Sequence, residues 1–324
     1  MSVSVATVTG LAYYPLKGGQ AVKTCEVMVG EAGIENDRKL MLKDRSTGGF
    51  ISQRDTQKDV LGRKSLLTQI SAEVHTNGRW IWITIPGQER FRVSLTSKGR
   101  PQIARLWKDD CSVLAYSAEI NARFSQFLGR KVALVRMADG FRRLPTRVRE
   151  EGGSIGFADG APLLFTNETS LEDLNRRLGE WSSNSVPLEM ERFRTNVTIK
   201  TTLPWEEDTW TDQILVNRRT QDLYFVGWGC ARCVIPSLDP KTGYETHPQL
   251  LRFLAGFRKA GTGNIPAKLG PVQEELLGGK YHIARDEGTL AGVIFGLNIV
   301  PLNGGRPMNL RVGDEFQLLT KYAL

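Results

Sequence analysis

Apolar and polar positions alternate with a period of two along most of this chain, which predicts strands more often than helices. Val3 to Tyr13 alternates up to a turn at Tyr14-Pro15-Leu16-Lys17-Gly18-Gly19. Glu26 to Gly30, Leu40-Met41-Leu42 and Phe50 to Arg54 continue the pattern, with a hairpin at Arg45 to Gly49. Arg79 to Ile85 and Phe91 to Leu95 form another pair across Pro86-Gly87, and Trp80 and Trp82 are expected to serve packing. The period changes after Ser117. Ile120, Phe124, Phe127 and Leu128 fall on one helical face that ends at Gly129. Lys131 to Met137 returns to a strand, and Phe157 to Thr166 enters a buried one. Ser170, with Asp173 three residues on, predicts a capped helix that buries Leu171, Leu174 and Leu178. Leu223-Tyr224-Phe225-Val226 is a further buried strand, and Pro248 opens a helix turning Leu250, Leu251, Leu254 and Phe257 inward. The fold class is therefore α+β and rich in β-structure.

Length adds a division. A chain of 324 residues has room for two cores. Phe141 to Gly153 holds Arg142, Arg143, Arg147 and Arg149 with few apolar residues, the composition of a connection. The expected domains are 1–130 and 156–324, joined by a basic segment, 131–155. A net charge of +8 and a pI near 9.4 favour anionic partners. Nucleic acid is not expected, because the arginines carry no interleaved aromatics and no recognisable module surrounds them. Four cysteines do not make a disulfide scaffold. No apolar run approaches the roughly 20 residues that span a bilayer. The first eight residues contain no basic group, so no signal or transit segment is expected. A cytoplasmic, soluble protein is the simplest expectation.

Chemistry concentrates in Gly229-Cys230-Ala231-Arg232-Cys233-Val234-Ile235-Pro236, followed by a turn at Asp239-Pro240-Lys241-Thr242-Gly243. The two thiols sit where a strand leaves the core, and a neighbouring arginine favours the thiolate if its charge lies close. Such a pair can bind zinc, exchange disulfides, pack as small hydrophobes, or supply one soft-metal ligand to a cofactor. Zinc would need further ligands, and Cys25, Cys111, His75, His247 and His282 are unpaired in sequence. A second candidate is Lys17-Gly18-Gly19, where backbone N–H groups beside a cation suit a phosphate or carboxylate. A third is the helix start near Ser170, whose free donors and nearby hydroxyls suit an anion.

Cys230-x-Arg232-Cys233 followed by Asp239-Pro240-x-Thr242-Gly243 resembles the cysteine motif of MOSC-domain proteins. Tyr14-Pro15-x-Lys17 resembles the opening of that family's N-terminal barrel domain, with Gly18 where serine is usual. Asn36-Asp37-Arg38, Arg192-Phe193-Arg194-x-Asn196 and Trp205-Glu206-Glu207-Asp208 continue the likeness, the last as a surface segment. Phe295 to Asn298 and Leu310 to Phe316 resemble the closing strands, with Leu297 where related chains often have glutamine. That change and Pro236 bear on substrate range.

The resemblance implies an N-terminal MOSC barrel domain and a C-terminal MOSC β-barrel with peripheral helices. It implies a molybdenum pyranopterin cofactor (Mo-molybdopterin), with Cys233 as the metal ligand and catalytic residue. Lys17, Gly18, Arg38, Thr166, Asn167, Ser170, Arg194 and Asn196 are the implied cofactor contacts, with Arg54 a weaker one. Arginine suits this because its planar fork grips oxygens in pairs; the alternative for Arg38 is an ion pair with Asp37 or Asp55. The overall likeness is to the amidoxime-reducing components and their bacterial relatives. It implies reduction of N-hydroxylated compounds with electrons from an external protein of the cytochrome b5/reductase or flavin/iron–sulfur type. MOSC domains also end the molybdenum cofactor sulfurases, which leaves a cofactor carrier as the alternative.

Overall fold

The computed structural model describes residues 5–145, 147–150, 154–183, 185–276, 281–285, 287–302, 304 and 306–319. Val3, Gly152 and Gly153 lie outside the described residues, as do the side chains of Arg149 and His282. The first half supplies β1 (Ala6–Tyr13), β2 (Leu40–Asp44), β3 (Arg100–Leu106), β4 (Asp109–Ala115), α1 (Ala118–Leu128) and β5 (Val132–Met137). The second supplies β6 (Leu163–Asn167), α2 (Glu168–Trp181), β7 (Val197–Lys200), β8 (Ile214–Asn217), β9 (Leu223–Arg232), α3 (Leu250–Ala255), β10 (Val293–Leu302) and β11 (Glu315–Leu318).

Among the described residues, seven strands close into a barrel in the order β7-β6-β10-β9-β8-β11-β1, with β1 pairing back onto β7. Only the β6–β7 pair is parallel among these contacts. β9 is buried over its first seven residues because the sheet has two covered faces. Tyr224 and Val226 point into the barrel with Phe165, Ile299 and Phe316, while Leu223, Phe225 and Trp228 pack outward against Leu290 and Ile294. An apolar run with no alternation is the consequence.

The first half is built on the antiparallel sheet β3-β4-β5-β2, again covered on both sides. Leu40 and Leu42 face a core shared with Ile81, Ile83 and Phe124, and Met41 faces the core of Val113 and Phe157. Ser117 caps α1 by accepting from the Ile120 N–H, and Gly129 closes it at φ 64°, the left-handed turn glycine allows. Ile81 and Ile83 take the core face, which by strand alternation turns Trp80 and Trp82 outward, where they carry Arg92 and Arg90 on their rings.

The two halves interlock. β1 belongs to the barrel, and Glu26–Gly30 pairs with Met308–Arg311, whereas β5 belongs to the first sheet. The helix expected at Pro248 begins two residues later, at Leu250 with Gln249 as its cap. No helix among the described residues is long and apolar enough to cross a membrane.

Candidate functional site

β9 delivers the cysteine motif. Its register slips between Val226 and Trp228 and again between Gly229 and Ala231, bulges that re-aim the strand end. Gly229 lets β10 approach: a Cβ there would lie 2.6 Å from the Ile294 side chain. Beyond Arg232 the strand gives way to a short turn, Ile235–Ser237. Asp239 then accepts from the N–H groups of Lys241 (2.9 Å) and Thr242 (2.8 Å), an Asx turn. Gly243, at φ +78°, presses on the first half, where an added Cβ would stand 2.3 Å from the Ser65 carbonyl oxygen. Buried Arg192 ties this loop down by donating to the Pro236 carbonyl (3.4 Å) and the Thr246 hydroxyl (3.0 Å).

Arg232 does not serve both thiols. Its Nη1 donates to Cys230 Sγ at 3.1 Å and its Nη2 to the Phe193 carbonyl at 2.6 Å. Cys233 has no hydrogen-bond partner among the described residues. Both thiols line one cleft of about 220 Å³, together with Lys17, Gly18, Arg38, Arg194 and Asn196. Lys17 and Cys233, 216 positions apart in the chain, thus meet at the seam of the two halves.

The cationic wall has a definite construction. Tyr14, fully buried, carries two guanidinium groups on its ring, Arg38 at 4.5 Å and Arg194 at 4.2 Å from its centre. A ring face attracts each cation. Arg38 (φ 46°) and Arg194 (φ 55°) both adopt the left-handed conformation, strain of the kind found at functional positions. Arg38 pairs with Asp37 and also faces the cleft, so the ion-pair alternative and the cleft position hold together. Burial, with Arg38 close by, pushes Arg194 down to about 10, and burial pushes Tyr14 up to about 12.

Asn196 is 2% exposed and its amide is fully used. Nδ2 donates to the Ala12 carbonyl and to Asp37, while Oδ1 accepts from the Leu164 N–H and from Arg38. It stands behind Arg38 as a brace. Gly18 needs its missing side chain: at φ +85°, a Cβ would come within 2.3 Å of Leu67. The opposite wall holds Trp107 under the Arg54 guanidinium (4.6 Å), with Phe50 edge-on to the indole.

Thr166, Asn167 and Ser170 do not line the cleft. Asn167, not Ser170, caps α2, accepting from the Thr169 N–H at 3.1 Å. The anion at this helix start is the chain's own. Glu207 accepts from Ser170 (2.8 Å) and Asn167 (2.7 Å), and Thr166 bonds Thr195 at 2.9 Å. Glu207 is 2% exposed and Asp208 pairs with Arg258 in the interior, so these two residues are buried and not surface, while Trp205 and Glu206 are half-buried. Leu297 likewise lies in the barrel core and Pro236 is buried outside the cleft lining, so neither departure alters the cleft wall.

Burial raises the Glu207 carboxyl above its ordinary 4.5, with Asp208 adding to the shift and Asn167 and Ser170 opposing it. The folded state therefore holds this proton more tightly than the unfolded chain. Its contribution is most favourable below 4.5 and falls as pH rises from there through the raised value. Glu207→Gln removes the titration. Its melting temperature, measured between about pH 4 and 7, is expected to fall less with rising pH than that of the wild type.

Among the described residues no three His, Cys, Asp or Glu side chains gather as a metal site. Sequence reading missed Tyr14 as the ring under both guanidinium groups, Asp37 and Asn196 as braces, and Trp107 and Asp159 in the cleft. No single-chain pattern marks them, since each acts through partners distant in sequence.

A seven-stranded barrel sharing a cation-lined, thiol-bearing cleft with a second β-rich half defines the class of protein. The chain belongs to the MOSC domain family: residues 152–317 match the MOSC domain and 5–131 the MOSC N-terminal beta barrel domain. It is similar to the mitochondrial amidoxime reducing component 2 of Rattus norvegicus, 24% identical over 88% of this chain and 81% of the rat protein. Mitochondrial amidoxime-reducing component 1 of Danio rerio is 25% identical over 88% of this chain and 82% of its own length. The molybdenum cofactor sulfurase of Solanum lycopersicum is 24% identical over 78% of this chain, which spans only 31% of that protein.

Proposed function

We propose that this chain binds a molybdenum pyranopterin and reduces N-hydroxylated compounds such as amidoximes and hydroxylamines, with electrons from an external redox protein. The observation that carries it is the meeting of Lys17, Arg38 and Arg194 with Cys233 in one cleft. The donor set fits an anionic, oxygen-rich group. Arg194 Nη2 and Arg232 Nε are buried without an acceptor among the described residues, the condition a bound ligand relieves. Cys233 would supply the soft thiolate to the metal.

When bound, the molybdenum centre supplies the two-electron chemistry that removes oxygen from nitrogen. The chain's own residues hold and orient. Lys17, Arg38 and Arg194 would grip the anionic part of the cofactor, the Tyr14 ring supports both guanidinium groups, and Arg192 fixes the loop after Cys233. Phe50 and Trp107 give the mouth of the cleft an apolar wall.

The similarity to a molybdenum cofactor sulfurase supports a second reading, a carrier that binds cofactor without turnover. Protein purified from a cofactor-making host, given an artificial donor and benzamidoxime, separates them. Amidine formation above a cofactor-only control is expected. Molybdenum bound near one per chain with no amidine would leave the carrier.

A further inference from the structure

We infer that Asp159 is the cleft's internal counter-anion, occupying on Lys17 a place that the phosphate group of an incoming ligand takes over. This rests on the reading that the cleft binds an anionic ligand, and not on which metal that ligand carries. Buried Lys17 donates to Asp159 Oδ1 at 2.6 Å and to the Phe157 carbonyl at 2.9 Å. The same Oδ1 accepts from Trp107 Nε1 at 3.0 Å. An ammonium has three hydrogens, so one is left for a ligand, with a carboxylate charge beside it. Protein atoms crowding Asp159 oppose its ionisation, yet Lys17, Trp107 and Arg38 hold the carboxyl well below the usual carboxylate range. An approaching phosphate therefore meets a full negative charge at the cation it needs.

Asp159 is built to yield. Its side chain is 67% exposed against 9% for Lys17, so water can solvate the carboxylate when it leaves Lys17. Its backbone is anchored. Arg143, paired to Asp109 at 2.6 Å, donates to the carbonyls of Ala158 (2.5 Å) and Asp159 (3.0 Å), and Phe157 is buried in the core beneath. The carboxylate can turn away while the loop stays in place. Asp37, the other acid beside these cations, is buried and holds the Tyr14 N–H and Asn196 as well as Arg38, so it cannot exchange. Asp159 is the only carboxylate lining the cleft among the described residues.

The test is a calorimetric titration of inorganic phosphate into the metal-free chain, comparing wild type, Asp159→Asn, Lys17→Met and the double variant. Asp159→Asn is expected to bind phosphate about tenfold more tightly, the scale set by removing a like charge at contact. Lys17→Met is expected to abolish that gain. In the wild type the Trp107 indole N–H resonance, assigned with Trp107→Phe, should move as phosphate saturates. Equal or weaker binding by Asp159→Asn overturns the inference, as does an unmoved Trp107 signal or absence of phosphate binding in folded wild type and variant alike. A chain that passes these tests yet takes up no molybdenum would instead remove the proposed function.

Discussion

Cys233→Ala, expressed in a host that makes the cofactor, is expected to lose its molybdenum or hold it only transiently, whereas Cys230→Ala retains nearly one atom per chain. The asymmetry follows from the proposed function and from what each sulfur touches. Cys230 Sγ already accepts from Arg232 Nη1, and Cys233 has no protein partner among the described residues. A thiolate free of protein hydrogen bonds and open to a cation-lined cleft is the better soft ligand. Elemental analysis for molybdenum and zinc decides. Zinc retained by the wild type and lost from both variants would overturn the ligand assignment in favour of a shared zinc site. Equal molybdenum in both variants would remove the thiolate's role.

Asp208→Ala is expected to destabilise the fold by about 3–5 kcal/mol, the cost of leaving a buried guanidinium without its anion. Arg258 grips Asp208 with two parallel bonds, one of 2.8 Å, donates its Nε to the Ile294 carbonyl at 3.0 Å and lies over Trp205. Both side chains are almost wholly withdrawn from water. A fall in melting temperature of roughly 4–7 °C corresponds to this in a chain of such size. A change under about 2 °C would show that the pair is not the interior tie described here. Changing both residues together to leucine should recover part of the loss, because the uncompensated charge is gone.

The barrel was legible where burial has a regular period. β9 and α1 announce themselves, because a strand covered on both faces must be apolar throughout and a helix on a sheet must be apolar on one face. Along Trp80 to Ile83 alternation shows that two faces differ, not which one meets the core. The closure of β1 against β7 and β11 joins the ends of the chain, and no local pattern encodes a pairing of that range.

In the site, the sequence by itself determined the thiol pair at a strand end, the Asx turn after it, and the cations at 17, 38 and 194. Residue type and turn chemistry are local properties, so they survive without knowledge of the fold. Only the tertiary structure decided how those groups are used. It turned Arg232 toward Cys230, spent the Asn196 amide on bracing Arg38, and filled the helix start at Asn167 with Glu207. It also placed Asp159 on Lys17, 142 residues away. Each of these is a choice between partners of like chemistry. The choice is made by distance and burial, which exist only once the chain has folded.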